Sequence, residues 1–261
     1  MIRSVWVLLA GAAMTAYFAT LVVIGGWIGG RVSEHVCEQC PRRWSRLVLK
    51  CAGVRLRVSG VDAVDWSKPA ILVANHQSWF DVFALLVAVP GKLRFVAKEE
   101  LGRIPIFGRA WRGCDHMPID RSDRRRAIAS LNRTGEKLRE ESLVVTIFPE
   151  GTRSPDGRIY SFKKGAFVLA IRTGVAILPV GIRGSGAVMP KGSFRVRGGE
   201  IRIRIGRPIE AGGLDHVNRD ALAEESRRAV AALAGAAMAG HEPDADVGSR
   251  RGSGTTTEGR A

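Results

Sequence analysis

Residues 70–81 read AILVANHQSWFD, and the reading of this stretch decides the fold. Ala70–Ala74 is a short apolar run directly after Pro69, as expected of a strand covered on both faces. Trp79–Val89 has the length and apolar content of a helix and stops at Pro90-Gly91. The polar residues Asn75–Ser78 therefore fall at the carboxyl end of a buried strand, where ligand sites form in α/β sheets. Ser78 is placed to cap the helix, with Asp81 as the acid three positions on in a capping box. This register matters for His76. On one helix, His76 and Asp81 would point about 140° away from each other. With His76 ahead of the helix, Asp81 can turn back to its imidazole, fix the tautomer and make the other ring nitrogen a better base. The same spacing also suits a plain helix cap beside a closed loop.

Outward from this unit the chain keeps alternating. Val54–Val58, Leu143–Phe148 and Val175–Ile182 read as strands. Helices are expected from a Ser122 cap through Ile128, Leu131 and Leu138, over Lys164–Arg172 up to Gly174, and over residues 220–238. Phe194–Arg197 and Ile201–Ile205 alternate arginine with apolar residues on either side of Gly198-Gly199, which predicts a hairpin with one dry and one positive face. Strands separated by helices predict an α/β protein, with a central, mostly covered β-sheet flanked by helices.

The amino-terminal end is different. Residues 5–30 hold no charged side chain, and about 20 apolar residues suffice to cross a bilayer. Glycines at 25, 26, 29 and 30 equally permit a bent hairpin lying in one leaflet. Only Arg3 precedes the segment, whereas Arg31, Arg42, Arg43, Arg46 and Lys50 follow it. That bias puts the body on the cytoplasmic face of the cell membrane. Residues 42–52 set Trp44, Leu47, Val48 and Cys51 on one helical face, ringed by Arg42, Arg43, Arg46 and Lys50. This suits either a basic helix on anionic headgroups or a surface helix packed on its own domain. Three parts result: a membrane-attachment segment over 1–51, a folded domain over 52–239, and a disordered Gly/Ser/Thr-rich tail over 240–261.

Forty Lys and Arg against 25 Asp and Glu give a net charge of +15, carried by the segment between the apolar end and the tail. The excess calls for an anionic partner. Nucleic acid is not that partner: aromatics are sparse and lie in apolar settings, and no helix-turn-helix or zinc-finger spacing is present. Cys37, Cys40, Cys51 and Cys114 are too scattered for a disulfide framework. Reduced thiols suit them better than a zinc site completed from Cys51, His35, Cys114 or His116.

A second informative stretch, Phe148–Ser154 or FPEGTRS, again ends a buried strand. Pro149 and Gly151 break the chain and expose Glu150, Thr152 and Arg153 in a tight loop. Backbone N–H groups in such a turn, with Arg153 beside them, suit an anion; an ordinary polar turn is the plainer reading. Together, NHQSWFD and FPEGTRS resemble the first and third motifs of the glycerolipid acyltransferases, in particular the 1-acyl-glycerol-3-phosphate (lysophosphatidic acid) acyltransferase family. Met117–Arg121, MPIDR, resembles the second motif, and Ile177–Ile182, ILPVGI, the fourth, centred on Pro179. Lys98 in AKEEL and the block FKKGAF at 162–167 also look like this family, which the chain resembles over roughly 52–210.

The resemblance implies a membrane-bound enzyme that moves a fatty acyl group from acyl-CoA or acyl carrier protein to lysophosphatidic acid, giving phosphatidic acid in phospholipid biosynthesis. His76 would be the general base and Asp81 its orienting partner. Lys98, Arg121, Glu150, Gly151, Thr152, Arg153 and Pro179 would form the substrate site, with Arg121 and Arg153 on the phosphate. No cofactor and no metal are implied. Two alternatives remain: the same chemistry on another lyso-lipid such as a lyso-ornithine lipid, or a non-catalytic protein that binds anionic lipid.

Overall fold

The computed structural model describes residues 2–119 and 134–240. Seven strands form one sheet: β1 (Val54–Ser59), β2 (Ala70–Ala74), β3 (Leu93–Lys98), β4 (Met117–Ile119), β5 (Val144–Ile147), β6 (Ile177–Arg183) and β7 (Gly199–Ile205). Their order is β1-β7-β6-β2-β5-β3-β4. The strands from β6 to β4 run parallel; β7 is antiparallel to β6 and carries β1 parallel to itself. β2 and β5 thus lie in the middle, and both deliver a motif loop to the same end of the sheet.

Both faces of that middle are covered. Leu72 and Ala74 of β2 join a cluster with the helices α2 (Gly30–Cys51) and α3 (Phe80–Ala88). Ile71 and Val73 point the other way, into a cluster with α5 (Gly165–Thr173), α7 (Arg219–Ala234) and Leu138. Every second residue is buried on one side and its neighbours on the other, so the strand is apolar throughout, as its sequence implied. Two shorter α-helices are α4 (Phe107–Gly113) and α6 (Ser185–Val188). Leu138 is buried in helical residues 134–140; the rest of the helix expected from Ser122, and Arg121 itself, lie outside the described residues.

The apolar segment is helix α1 (Ile2–Ile28), about 40 Å long. Gly29 and Gly30, at φ +75° and +54°, take the positive backbone angles that reverse the chain into α2. α1 is fastened to the body along one side. Arg3 donates to the Ala52 carbonyl, Ser4 meets the Val196 backbone, and Val7, Ala19 and Val22 are buried. Its other side presents Val5, Trp6, Leu9, Tyr17, Ile24 and Trp27 to the outside. No charge interrupts that face.

α2 is one continuous helix, not a separate segment over 42–52. Trp44 and Val48 pack on the body while Leu47 stays exposed. Arg42 leaves the basic rim altogether: it donates to the carbonyls of Val89, Pro90 and Gly91, closing the end of α3. Arg43, Arg46 and Lys50 remain exposed. The thiols also differ from expectation. Cys37 and Cys114 form a disulfide because α2 and the end of α4 bring their Cα atoms to 5.2 Å, while Cys40 and Cys51 are free.

The expected hairpin does not form. Only Gly199–Ile205 is a strand, since β6 and β1 already occupy both of its edges, and Val196 is bonded to Ser4 instead. The dry and positive faces do exist: Ile201, Ile203 and Ile205 are buried, while Arg202 and Arg204 lie outside beside Arg55 and Arg57. Among them Glu200 accepts from Arg57 and Arg202, whose hydrogen bonds pull its carboxyl down to about 2.

Candidate active site

His76 follows β2 and precedes α3, the register that the sequence required. Its Nδ1 lies 2.8 Å from Asp81 Oδ2. The same oxygen accepts the N–H groups of Gln77 at 2.7 Å and Ser78 at 2.8 Å. A fully buried carboxylate is costly unless donors surround it. Here one oxygen takes three donors, and the turn is wound around it. Half of the expected capping box forms: Asp81 accepts from Ser78 N–H, but its own N–H goes to the Ser78 carbonyl at 3.2 Å, and Ser78 Oγ accepts from Phe80 N–H at 3.3 Å. The helix itself begins at Phe80, with Trp79 at its cap position.

The FPEGTRS loop clamps this turn. Glu150 Oε1 accepts the His76 N–H at 2.9 Å and its Oε2 accepts the Tyr160 N–H at 3.2 Å. Ser154 N–H donates to the His76 carbonyl at 2.7 Å. Phe148 stacks flat on the imidazole, with centroids 4.0 Å apart and planes 16° apart. The ring is therefore held by Asp81 at one edge, by Phe148 on one face and by its own backbone, leaving Nε2 for substrate. Gly151 adopts φ +80°, a backbone conformation that favours glycine; a Cβ there would meet only the flexible end of the Lys163 side chain, at 2.8 Å. Arg153 lies over the Trp79 ring at 5.3 Å, a cation–π contact that points the guanidinium at the same opening.

His76, Glu150, Gly151, Thr152 and Arg153 all line one cavity of about 1340 Å³. Ordinary small-molecule pockets run to roughly 300–1,000 Å³. Beyond the polar loops much of the wall is apolar, with Phe18, Ala19 and Val22 from α1, Trp44 from α2, Phe83 and Leu86 from α3, Ala110 and Trp111 from α4, while Glu99, Glu100, Arg103 and Lys191 add charge to its lining. His116 belongs to this wall. It stacks on Trp111 at 4.0 Å and accepts the Phe95 N–H at Nδ1. Burial, with Arg94 nearby, pushes its pKa down to about 3, so it is a neutral part of an apolar surface. Among the described residues, no three His, Cys, Asp or Glu side chains gather as a metal-binding group.

Two expected residues stand apart. Lys98 ends β3, but its side chain lies outside what is described. Pro179 does not line the cavity; it sits inside β6 opposite Val73. Its carbonyl accepts the Gly206 N–H of the returning chain at 2.9 Å, and the ladder then breaks before Ile177↔Ile209, so a residue with no N–H to return is tolerated.

With this geometry in hand, comparison with known proteins is informative. A family model described as Acyltransferase matches residues 55–183. A 1-acyl-sn-glycerol-3-phosphate acyltransferase of Pseudomonas aeruginosa is 30% identical over 233 residues, covering 84% of this chain and 88% of that protein. The chain belongs to the acyltransferase family. A chloroplastic 1-acyl-sn-glycerol-3-phosphate acyltransferase of Arabidopsis thaliana is 37% identical over 179 residues, 68% of this chain. The chain spans about half the length (48%) of that plant relative. The crystal structure of the 1-acyl-sn-glycerophosphate acyltransferase of Thermotoga maritima superposes with a TM-score of 0.75 at 27% identity, covering 89% of this chain and 95% of that one.

Several site residues of the chain escaped sequence reasoning. Phe148 was read as the end of a strand, although its place directly before the Pro149 break was a signal that it would face the loop's partner. The cavity wall gave no signal, because an apolar residue lining a cavity and one filling a core look alike in sequence.

Proposed function

We propose that the protein transfers a fatty acyl group from a thioester of coenzyme A or acyl carrier protein to the free hydroxyl of lysophosphatidic acid, giving phosphatidic acid. The observation that carries this reading is the Asp81–His76 pair at the rim of a large apolar cavity, with Arg153 beside it. The family relatives, named for the same reaction, support it. His76 Nε2 takes the proton of the acceptor hydroxyl as its oxygen attacks the thioester carbonyl. The tetrahedral intermediate collapses, the carbon–sulfur bond breaks, and the imidazolium returns its proton to the thiolate. Asp81 stays ionised and steadies the imidazolium. No acyl-enzyme is needed.

Arg153, with Arg121 and Lys98, grips the acceptor phosphate; an arginine fork suits it. Thr152 and the Gly151 backbone border that pocket. Glu150 acts through His76 and Tyr160, as a positioning residue. The apolar wall takes the acyl chain. α1 lies in one leaflet, its charge-free outer face in lipid and its inner face on the body, with Arg43, Arg46 and Lys50 of α2 at anionic headgroups on the cytoplasmic side. Residues 1–51 then serve as attachment and as cavity wall, and 52–239 carry the chemistry; the expected tail beyond residue 240 lies outside the described residues.

The test is acyl transfer from labelled acyl-CoA or acyl carrier protein in membranes holding the protein. The acceptors offered are lysophosphatidic acid, lysophosphatidylcholine, lyso-ornithine lipid and glycerol-3-phosphate. Product from lysophosphatidic acid is expected. Product from a different acceptor alone would overturn the substrate, and no product from any would overturn the reaction.

A further inference from the structure

The stretch from Met189 to Gly198 takes no part in the chemistry above, yet it joins three functional places. At its start, the Met189 carbonyl accepts from Ser78 Oγ at 2.7 Å, two residues from His76. Lys191 then lines the cavity. Farther on, both backbone groups of Val196 are engaged by Ser4 Oγ in the first turn of α1, and Val196 is buried in the same cluster as Val7. Internal bonds stiffen it: Ser193 N–H to the Pro190 carbonyl, Arg195 N–H to Ser193 Oγ and Arg197 N–H to the Val188 carbonyl.

On this fixed loop Phe194 is 75% exposed. A large aromatic held outward on a stiffened loop has no core to fill. Its neighbours are Lys191, Arg195 and Arg197, and no acid occurs between Met189 and Gly199. The turn of α1 to which the loop is bonded carries Ile2, Val5 and Trp6, all well exposed. An aromatic flanked by cations and continuous with an apolar helix face is the chemistry of a membrane interface.

We infer that this loop is a second membrane-docking element, which seats Phe194 among the headgroups of an anionic bilayer beside the first turns of α1. It rests on the reading of α1 as a lipid-facing helix, and it adds a location. The loop ties the bilayer surface to the His76 turn through the Met189–Ser78 hydrogen bond.

The test uses the full chain in detergent, with Phe194→Cys carrying an environment-sensitive fluorophore. The parent chain, labelled at its free thiols Cys40 and Cys51, gives the background. With phosphatidylcholine vesicles containing one-third phosphatidylglycerol, the emission at residue 194 is expected to shift to the blue, and less so with pure phosphatidylcholine. The double variant Arg195→Glu/Arg197→Glu should partition onto the anionic vesicles about tenfold more weakly or worse, while turning over a water-soluble short-chain acceptor at the parental rate. A water-like emission in protein that does sediment with vesicles would overturn the loop proposal and leave the reading of α1 intact. A shift produced by acyl carrier protein without vesicles would also overturn it, making the loop a protein-docking face. Failure to sediment at all would sink the reading of α1, and the loop proposal with it.

Discussion

The loops around His76 and the helices around the cavity are built on opposite principles. In the loops the bonds are directional: Asp81 Oδ2 takes three donors, and Glu150 joins the His76 and Tyr160 amides. In the wall, Phe18, Ala19, Phe83 and Ala110 offer surface and volume with no directional bond. A directed network fails when one atom is wrong, whereas a surface changes by degrees. Substitutions in the loops should therefore act on rate, and those in the wall on which chain is accepted.

Glu150→Gln gives the sharpest contrast. It puts an NH₂ group where one of two backbone N–H donors needs an acceptor, so the His76 turn shifts. A displacement of about 1 Å can cost ~100-fold in rate. The expected result is a fall of that order in kcat with KM for the acceptor little changed; a change confined to KM would return Glu150 to the phosphate pocket. Ala110→Phe should instead fill part of the cavity. Each buried methylene is worth about 0.8 kcal/mol, so donors that lose two or three methylenes of burial should slow about 10- to 50-fold while short-chain donors keep their rates. An equal loss on all chain lengths would break the distinction.

Smaller effects test the boundary between the regions. Trp79→Ala removes the cation–π contact beneath Arg153, about 0.5–1 kcal/mol at an exposed site. The acceptor KM should rise roughly two- to fivefold, and the donor KM should not move. His116 belongs to the wall, and its burial also bears on stability. With its folded pKa about 3 against 6.5 unfolded, the unfolded chain binds the proton that the folded chain refuses. Its contribution is thus complete above pH 6.5 and lost as pH falls toward 3, about 2 kcal/mol by pH 5. In His116→Gln the drop in apparent Tm between pH 7 and pH 5 should shrink. An identical drop would mean that His116 is not buried neutral.

The same division explains what was legible in the sequence. The Asp81–His76 contact spans five positions, so local geometry allowed it, although the same spacing also suited a plain helix cap. The buried strands β2, β5 and β6 announced themselves because both faces are covered. The clamp from Glu150 to the His76 amide joins residues 74 apart, and the Cys37–Cys114 bridge joins residues 77 apart; local pattern carries no trace of either. β3 was missed because Arg94 and Lys98 interrupt its apolar run, although Arg94 is buried against Glu38 of α2. The hairpin was misread because alternation at Phe194–Arg197 reports extended backbone but not its partner, which is Ser4 rather than β7. Pro179 shows the converse: a motif position can be a constraint on a strand.

The central claim is that the Asp81–His76 pair moves the proton. Its most direct test is acyl transfer to lysophosphatidic acid by Asp81→Asn and His76→Ala, each shown to be folded by its melting curve. General-base catalysis contributes about 10²–10⁴-fold, so both variants should lose rate within that range, His76→Ala the more. A folded His76→Ala protein that transfers within a factor of about three of the parent, far inside that range, would contradict the account.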